Sequence, residues 1–136
     1  MIKKINHDLF FLGLKAKDAD KGDFQTALDL IDTLNANKEN CVGIAANMIG
    51  VCKKIIVVKD GDKNLVMFNP VIIDRYNEYE STEACLSLTG SRTVKRYNRI
   101  KVEFQNFHFN KQIKNYSGYL AKIIQHEIDH CNGIII

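Results

Sequence analysis

A chain of 136 residues, 46% hydrophobic and 26% charged, has the size and composition of one domain with its own core, so residues 1–136 are expected to fold as a single unit. Its net charge of +3 comes from cations scattered along the chain, which argues against a nucleic-acid partner; even the run Arg92, Lys95, Arg96 and Arg99 reads as a solvated strand edge. No apolar stretch approaches the roughly 18 residues of a membrane span, Met1-Ile2-Lys3-Lys4 lacks the apolar region and cleavage site of a secretory leader, and the cysteines form no C-x-x-C pair, so a cytoplasmic protein with reduced thiols is expected.

The first element predicted is an amphipathic helix over residues 24–35. Phe24, Ala27, Leu28, Ile31 and Leu34 recur there at helical spacing, and Asp23 can cap the start. The polar stretch from Asn35 to Asn40 reads as a loop. Lys54 to Lys59 contains Ile55-Ile56-Val57-Val58 and reads as a buried strand. Asp60-Gly61 is a turn signal, and Leu65 to Ile73 follows as a second strand, with Pro70 marking an edge or a bend. Val94 to Phe109 alternates in part through Ile100, Val102 and Phe104. It predicts a long strand that turns near Asn110-Lys111 and returns as Gln112 to Tyr116.

The last element is a helix with Ser117 as its N-cap and Gly133 as its stop. At about 100° per residue, Tyr119, Ile123, His126, Glu127 and His130 share one arc. Leu120, Ile124, Ile128 and Cys131 extend it, leaving Lys122, Gln125 and Asp129 on the other side. The pattern is α+β, with this helix lying across a sheet and its histidines facing inward.

That helix carries the chemistry. His126 and His130 sit at i and i+4, so both rings can reach one metal ion, and Glu127 beside the first is placed to move a proton on and off water. A pair of unligated imidazoles on an apolar face would be costly to bury. A catalytic site of this type needs a third protein ligand and an open position. No His, Asp or Glu follows His130, so the third ligand is expected upstream. His7 and His108 are candidates in plain contexts, and Cys85, in Glu83-Ala84-Cys85-Leu86-Ser87 after a polar stretch, is the better one.

Three segments, in this order, resemble the three motifs of the peptide deformylases. Val42-Gly43-Ile44-Ala45-Ala46-Asn47-Met48 is similar to the family's G-φ-G-φ-A-A-x-Q. Glu83-Ala84-Cys85-Leu86-Ser87 is similar to E-G-C-L-S, and Gln125-His126-Glu127-Ile128-Asp129-His130 to Q-H-E-x-D-H. Phe68-Asn69-Pro70 also resembles the family's I-N-P strand. The resemblance implies mostly antiparallel sheets packed around a central C-terminal helix carrying the metal motif, plus an N-terminal helix. It implies one divalent metal ion held by Cys85, His126 and His130, ferrous iron in the family, with zinc, nickel or cobalt able to take its place. The activity implied is removal of the N-formyl group from the initiator methionine of new polypeptides, so the partners are formyl-methionyl nascent chains near the ribosome. Glu127 would carry the proton from water to the leaving amine, while the backbone N–H of Leu86 and the first motif's Gln would donate to the oxyanion. Gly43, Ile44, Tyr119 and Ile123 would form the substrate pocket, and Arg92 would pair with Asp129 or Glu83.

The sequence also departs from the pattern. Met48 stands at the Gln position, and a thioether donates no hydrogen bond. Asn47, one place away, is expected to point elsewhere. Ala84 replaces a glycine, and Leu88-Thr89-Gly90 carries no proline. These departures predict weakened turnover on an intact metal triad. The competing readings are an inactive relative that binds metal or formyl peptides, a zinc peptidase of the H-E-x-x-H type, and a structural metal module closed by four protein ligands.

Overall fold

Five strands form one antiparallel sheet, ordered as they occur in the chain, in a computed structural model that describes residues 1–136. They are β1 (Gly43–Ala45), β2 (Ile55–Asp60), β3 (Lys63–Glu83), β4 (Arg92–Gln105) and β5 (Lys111–Ser117). Three helices accompany them: the single turn α1 (Leu9–Leu12), then α2 (Phe24–Ala36) and α3 (Gly118–Cys131). The α+β class and the central C-terminal helix match the expectation, with one continuous sheet in place of several. No helix is long and apolar enough to cross a membrane.

The core forms where β2 is sandwiched. Ile55, Ile56, Val57 and Val58 are all fully buried, so both faces of this strand are covered, and α2 and α3 both pack on it. Leu30 and Leu34 of α2, Met67 and Phe68 of β3, Ile100 of β4 and Ile124 of α3 fill the same core. Each such side chain contributes roughly 1.5–3 kcal/mol by leaving water.

The β3–β4 hairpin is longer than the sequence pattern predicted. The expected strand ended at Ile73, yet β3 runs to Glu83, paired with β4 from Phe68↔Gln105 to Glu83↔Arg92. Residues 73–80 are exposed or half-exposed, so no alternation marks them; the ladder to β4 continues the strand. Pro70 does mark a bend. The register shifts between Phe68 and Val71 and again between Ile72 and Asp74, and Asn69 adopts φ 53°. The Asn69 side chain uses this kink to accept from the Ala19 N–H at 2.7 Å and donate to the Ala19 carbonyl at 2.9 Å. On the outer hairpin, the Arg99 guanidinium lies 4.7 Å over the Tyr76 ring. The turn into β5 spans Asn106 to Asn110, earlier than expected, closed by Phe109 N–H on the Asn106 carbonyl at 2.8 Å.

Both expected caps differ in detail. Asp23 makes no bond to the first turn of α2; its carboxylate accepts from the Asp20 N–H at 2.9 Å, closing a reciprocal box with Asp20 over a short 3-10 turn. Ser117 occupies the N-cap of α3 without a side-chain bond. Gly133 does stop α3, at φ +73°, and a Cβ there would stand 2.5 Å from the Gly13 carbonyl oxygen. Only glycine permits this crossing of the two chain ends.

Candidate metal centre

Three elements bring the site together. α3 supplies His126, Glu127 and His130 from its buried side; the turn after β3 supplies Cys85; the segment entering β1 supplies Cys41, Val42 and Gly43. One ligand atom from each of Cys85, His126 and His130 lies within 4.8 Å of the others. The two imidazole rings have centroids 4.9 Å apart. His7 and His108 are not part of this cluster.

Each donor is held by a neighbour. His126 Nδ1 donates to Glu83 Oε1 at 2.8 Å, which turns its Nε2 inward. The His130 backbone carbonyl accepts from Asn47 Nδ2 at 3.0 Å, so Asn47 is committed to α3, away from the reacting centre. Cys85 opens a turn closed by Leu88 N–H on its carbonyl at 3.1 Å, and its sulfur accepts the Ser87 N–H at 3.5 Å. Within that turn the Leu86 N–H has no protein acceptor, and Leu86 lines the cavity.

A buried arginine braces the acids behind the donors. Arg96, 3% exposed, reaches Glu83 Oε1 through Nη2 at 2.7 Å and Asp129 Oδ2 through Nη1 at 2.6 Å. The sequence reading placed this role on Arg92, which instead donates to the Thr89 carbonyl at 3.3 Å. Both arginines sit at even spacing on one face of β4, and only the inner one lies under α3.

The charges follow from burial and these partners. Burial raises the Glu83 carboxyl, but hydrogen bonds from His126 and Arg96 override it and bring it to about 2. Burial lowers His126, yet its bonds to Cys85 and Glu83 lift it to about 10. Burial, and then the charge of His126, push His130 down to about 3, so it is a neutral imidazole. Burial pushes the Glu127 carboxyl up to about 7, with His126 opposing. His130 Nε2 and Glu127 Oε1 are buried and have no protein partner. A sulfur and two ring nitrogens converging on an orphaned imidazole nitrogen fit one divalent cation, which would displace the His126 proton.

The cavity beside these donors measures about 390 Å³. Of the residues named from the sequence, Gly43, Met48, Cys85, Leu86, Tyr119, Ile123, His126 and Glu127 line it. Ile44 does not: it is fully buried in the core, and Val42 lines the cavity in its place. Tyr119 is 65% exposed, so it forms the rim and not the inward face expected of it. Cys41 and Lys122 were not foreseen. With Met48 at the Gln position, the first glycine of that motif falls on Cys41, a signal available in the sequence. Its thiol donates to the Gly43 carbonyl at 2.8 Å, and burial, reinforced by Glu127, pushes it up to about 12.

An antiparallel sheet wrapped on a helix that presents two histidines and an acid, completed by a cysteine from a hairpin end, defines a metal-dependent hydrolase. Comparison with known proteins narrows the class. The polypeptide deformylase family model matches residues 2–136. A peptide deformylase of Clostridium beijerinckii is 52% identical over 136 residues, covering all of both chains. The crystal structure of peptide deformylase from Thermus thermophilus superposes with a TM-score of 0.88 at 34% identity, over 99% of this chain and 83% of that one. A class I type b peptide deformylase from Acinetobacter baumannii, crystallised with Met-Ala-Ser bound, superposes at 0.89 with 26% identity, over 99% and 97% of the two chains. The chain belongs to the polypeptide deformylase family.

Proposed function

We infer that this chain is a hydrolase that removes the N-formyl group from the N-terminal formyl-methionine of newly made polypeptides, releasing formate. The observation that carries the reading is the meeting of Cys85, His126 and His130 with Glu127 at one cavity, in a chain matched to the family over nearly its whole length. We read residues 1–136 as one domain working in the cytoplasm, close to the ribosome where formylated chains emerge.

Cys85, His126 and His130 would hold one divalent ion, ferrous iron by family resemblance; the donor set alone suits iron and zinc alike. When bound, such an ion polarises a carbonyl and makes water acidic near neutral pH. The chain's own groups do the rest. Glu127, buried and free of ion pairs, takes the proton from water and delivers it to the amine that leaves. The free N–H of Leu86 donates to the oxyanion as the carbonyl carbon becomes tetrahedral. Gly43, Val42, Ile123 and the rim residue Tyr119 receive the methionine side chain. Met48 supplies no donor where the family has one, which supports slow turnover.

The test is formate release from a formyl-methionyl peptide by anaerobically purified, iron-loaded protein. Formate at a rate dependent on the metal is the expected result. Cys85→Ser loses the metal, whereas Glu127→Ala keeps it and loses turnover. Cleavage of internal peptide bonds without formate would replace this reading with a peptidase. Tight, metal-dependent hydroxamate binding without formate release would make the chain a non-catalytic relative.

A further inference from the structure

Asn6 and His7 precede every helix and strand, yet they contact the two turns that stand behind the metal-site donors. The Asn6 backbone N–H donates to the Met48 carbonyl at 2.7 Å, and Asn6 Nδ2 donates to the Asn47 carbonyl at 3.1 Å. His7 Nδ1 lies 3.0 Å from the Ser87 carbonyl. A carbonyl only accepts, so Nδ1 carries the hydrogen. Two of these three bonds, those to Asn47 and Ser87, are one step from a donor residue. Asn47 Nδ2 holds the His130 carbonyl at 3.0 Å, and the Ser87 N–H holds the Cys85 sulfur at 3.5 Å.

The result is an unbroken path from His130 through Asn47, Asn6, His7 and Ser87 to Cys85. It joins residues more than forty positions apart, and it reaches the turn itself, whereas the bond between Glu83 and His126 and the Arg96 bridge to Asp129 tie α3 only to the end of β3 before it. The helix that carries His130 is fixed by its own backbone ladder and by its buried face. The turn that carries Cys85 has a single internal backbone bond, from Leu88 to Cys85. Its position is therefore set from outside.

We propose that Asn6 and His7 are positioning residues of the metal centre, a clamp that fixes the Cys85 sulfur relative to His130. The inference rests on the metal reading of Cys85, His126 and His130. Neither residue touches the cavity; both act through the groups they hold. A preset sulfur spares the ordering cost that a loose turn would add to metal binding.

The experiment is a Co2+ titration of the full chain by chelator competition, with the sulfur-to-cobalt charge-transfer band as a second readout. His7→Ala is expected to weaken binding about tenfold and to shift or weaken that band. His7→Asn, whose Nδ2 stands where Nδ1 stood, is expected to restore both. Asn6→Ala is expected to weaken binding in the same direction, and it carries the test if His7→Ala does not fold. Native affinity and a native band in the Ala variants overturn the clamp. So does a loss of affinity that merely follows a fall in the thermal stability of the metal-free chain and is not rescued by His7→Asn. A native chain that takes up no Co2+ overturns the metal reading itself, which is a separate result from tight native binding with unaltered variants.

Discussion

Glu83 Oε1 lies 2.8 Å from His126 Nδ1, so a carboxylate and not a carbonyl fixes which ring nitrogen of His126 faces the donors. The same carboxylate stands two residues before Cys85, so one short segment supplies both a ligand and the brace of another. Glu83→Ala frees the ring to rotate, and metal affinity is expected to fall by about 10–100-fold. Glu83→Gln keeps an acceptor for Nδ1–H and loses less. Chelator competition with Zn2+, on variants shown to be folded by circular dichroism, measures both. Equal affinity for native and Ala proteins would remove Glu83 from the account.

Arg96 and Arg92 separate by stability. Arg96 contacts two carboxylates while 3% exposed, and removing one partner of a buried pair leaves the others uncompensated. Arg96→Leu is expected to cost about 3–5 kcal/mol in urea unfolding. Arg92, half-exposed and bonded to one carbonyl, is expected to cost under about 1 kcal/mol on change to Ala. Similar losses at both positions would contradict the assignment of the brace to Arg96.

This pair also marks where the sequence stops being legible. The motif residues of α3 could be placed because a helix fixes i and i+4 by local geometry, whereas Cys85 was only the better of several weak candidates until the second motif's resemblance singled it out. The strands of the core announced themselves by unbroken apolar runs, as in Ile55 to Val58. The outer half of β3 did not, because both of its faces meet solvent and only its partner strand orders it. Gln125 was assigned to the solvent side by helical phase. It is 3% exposed, because its amide donates to the Tyr97 carbonyl at 2.8 Å and accepts the Tyr97 N–H at 2.9 Å, standing in for a strand neighbour of β4. Ile44 was assigned to the pocket by motif position, but the chain turns into the core after Gly43 and takes Ile44 with it. Such outcomes depend on what packs opposite, which one chain segment does not encode.

Met48 offers a gain-of-function test. It is 1% exposed, lines the cavity, and its sulfur lies 3.4 Å from the Ala45 N–H, so the position reaches the reacting centre without offering a donor. A single oxyanion donor is typically worth about 10²–10³ in kcat. Met48→Gln is expected to raise kcat on a formyl-methionyl peptide by up to that factor, with KM and metal content changed little. A Gln variant no faster than the native chain would show that the missing donor does not limit this enzyme.

Gly43 tests the geometry of the base. A Cβ on Gly43 would lie 2.7 Å from Ile123 Cγ2 and 2.9 Å from Glu127 Oε2, with Glu127 Cγ at 3.1 Å. The backbone here is held by the β1–β2 ladder, where Gly43 pairs with Val58, so the side chains must yield. Glu127 is the one that moves at a cost to chemistry, since a misplacement of about 1 Å at a reacting group can cost about 10²-fold. Gly43→Ala is therefore expected to lower kcat by one to two orders of magnitude, on the order of that cost, while metal affinity stays near native because no donor is touched. Loss of metal together with activity would mean that the methyl group disturbs α3 as a whole and not the acid alone. Activity assays paired with metal analysis on the same preparation distinguish the two.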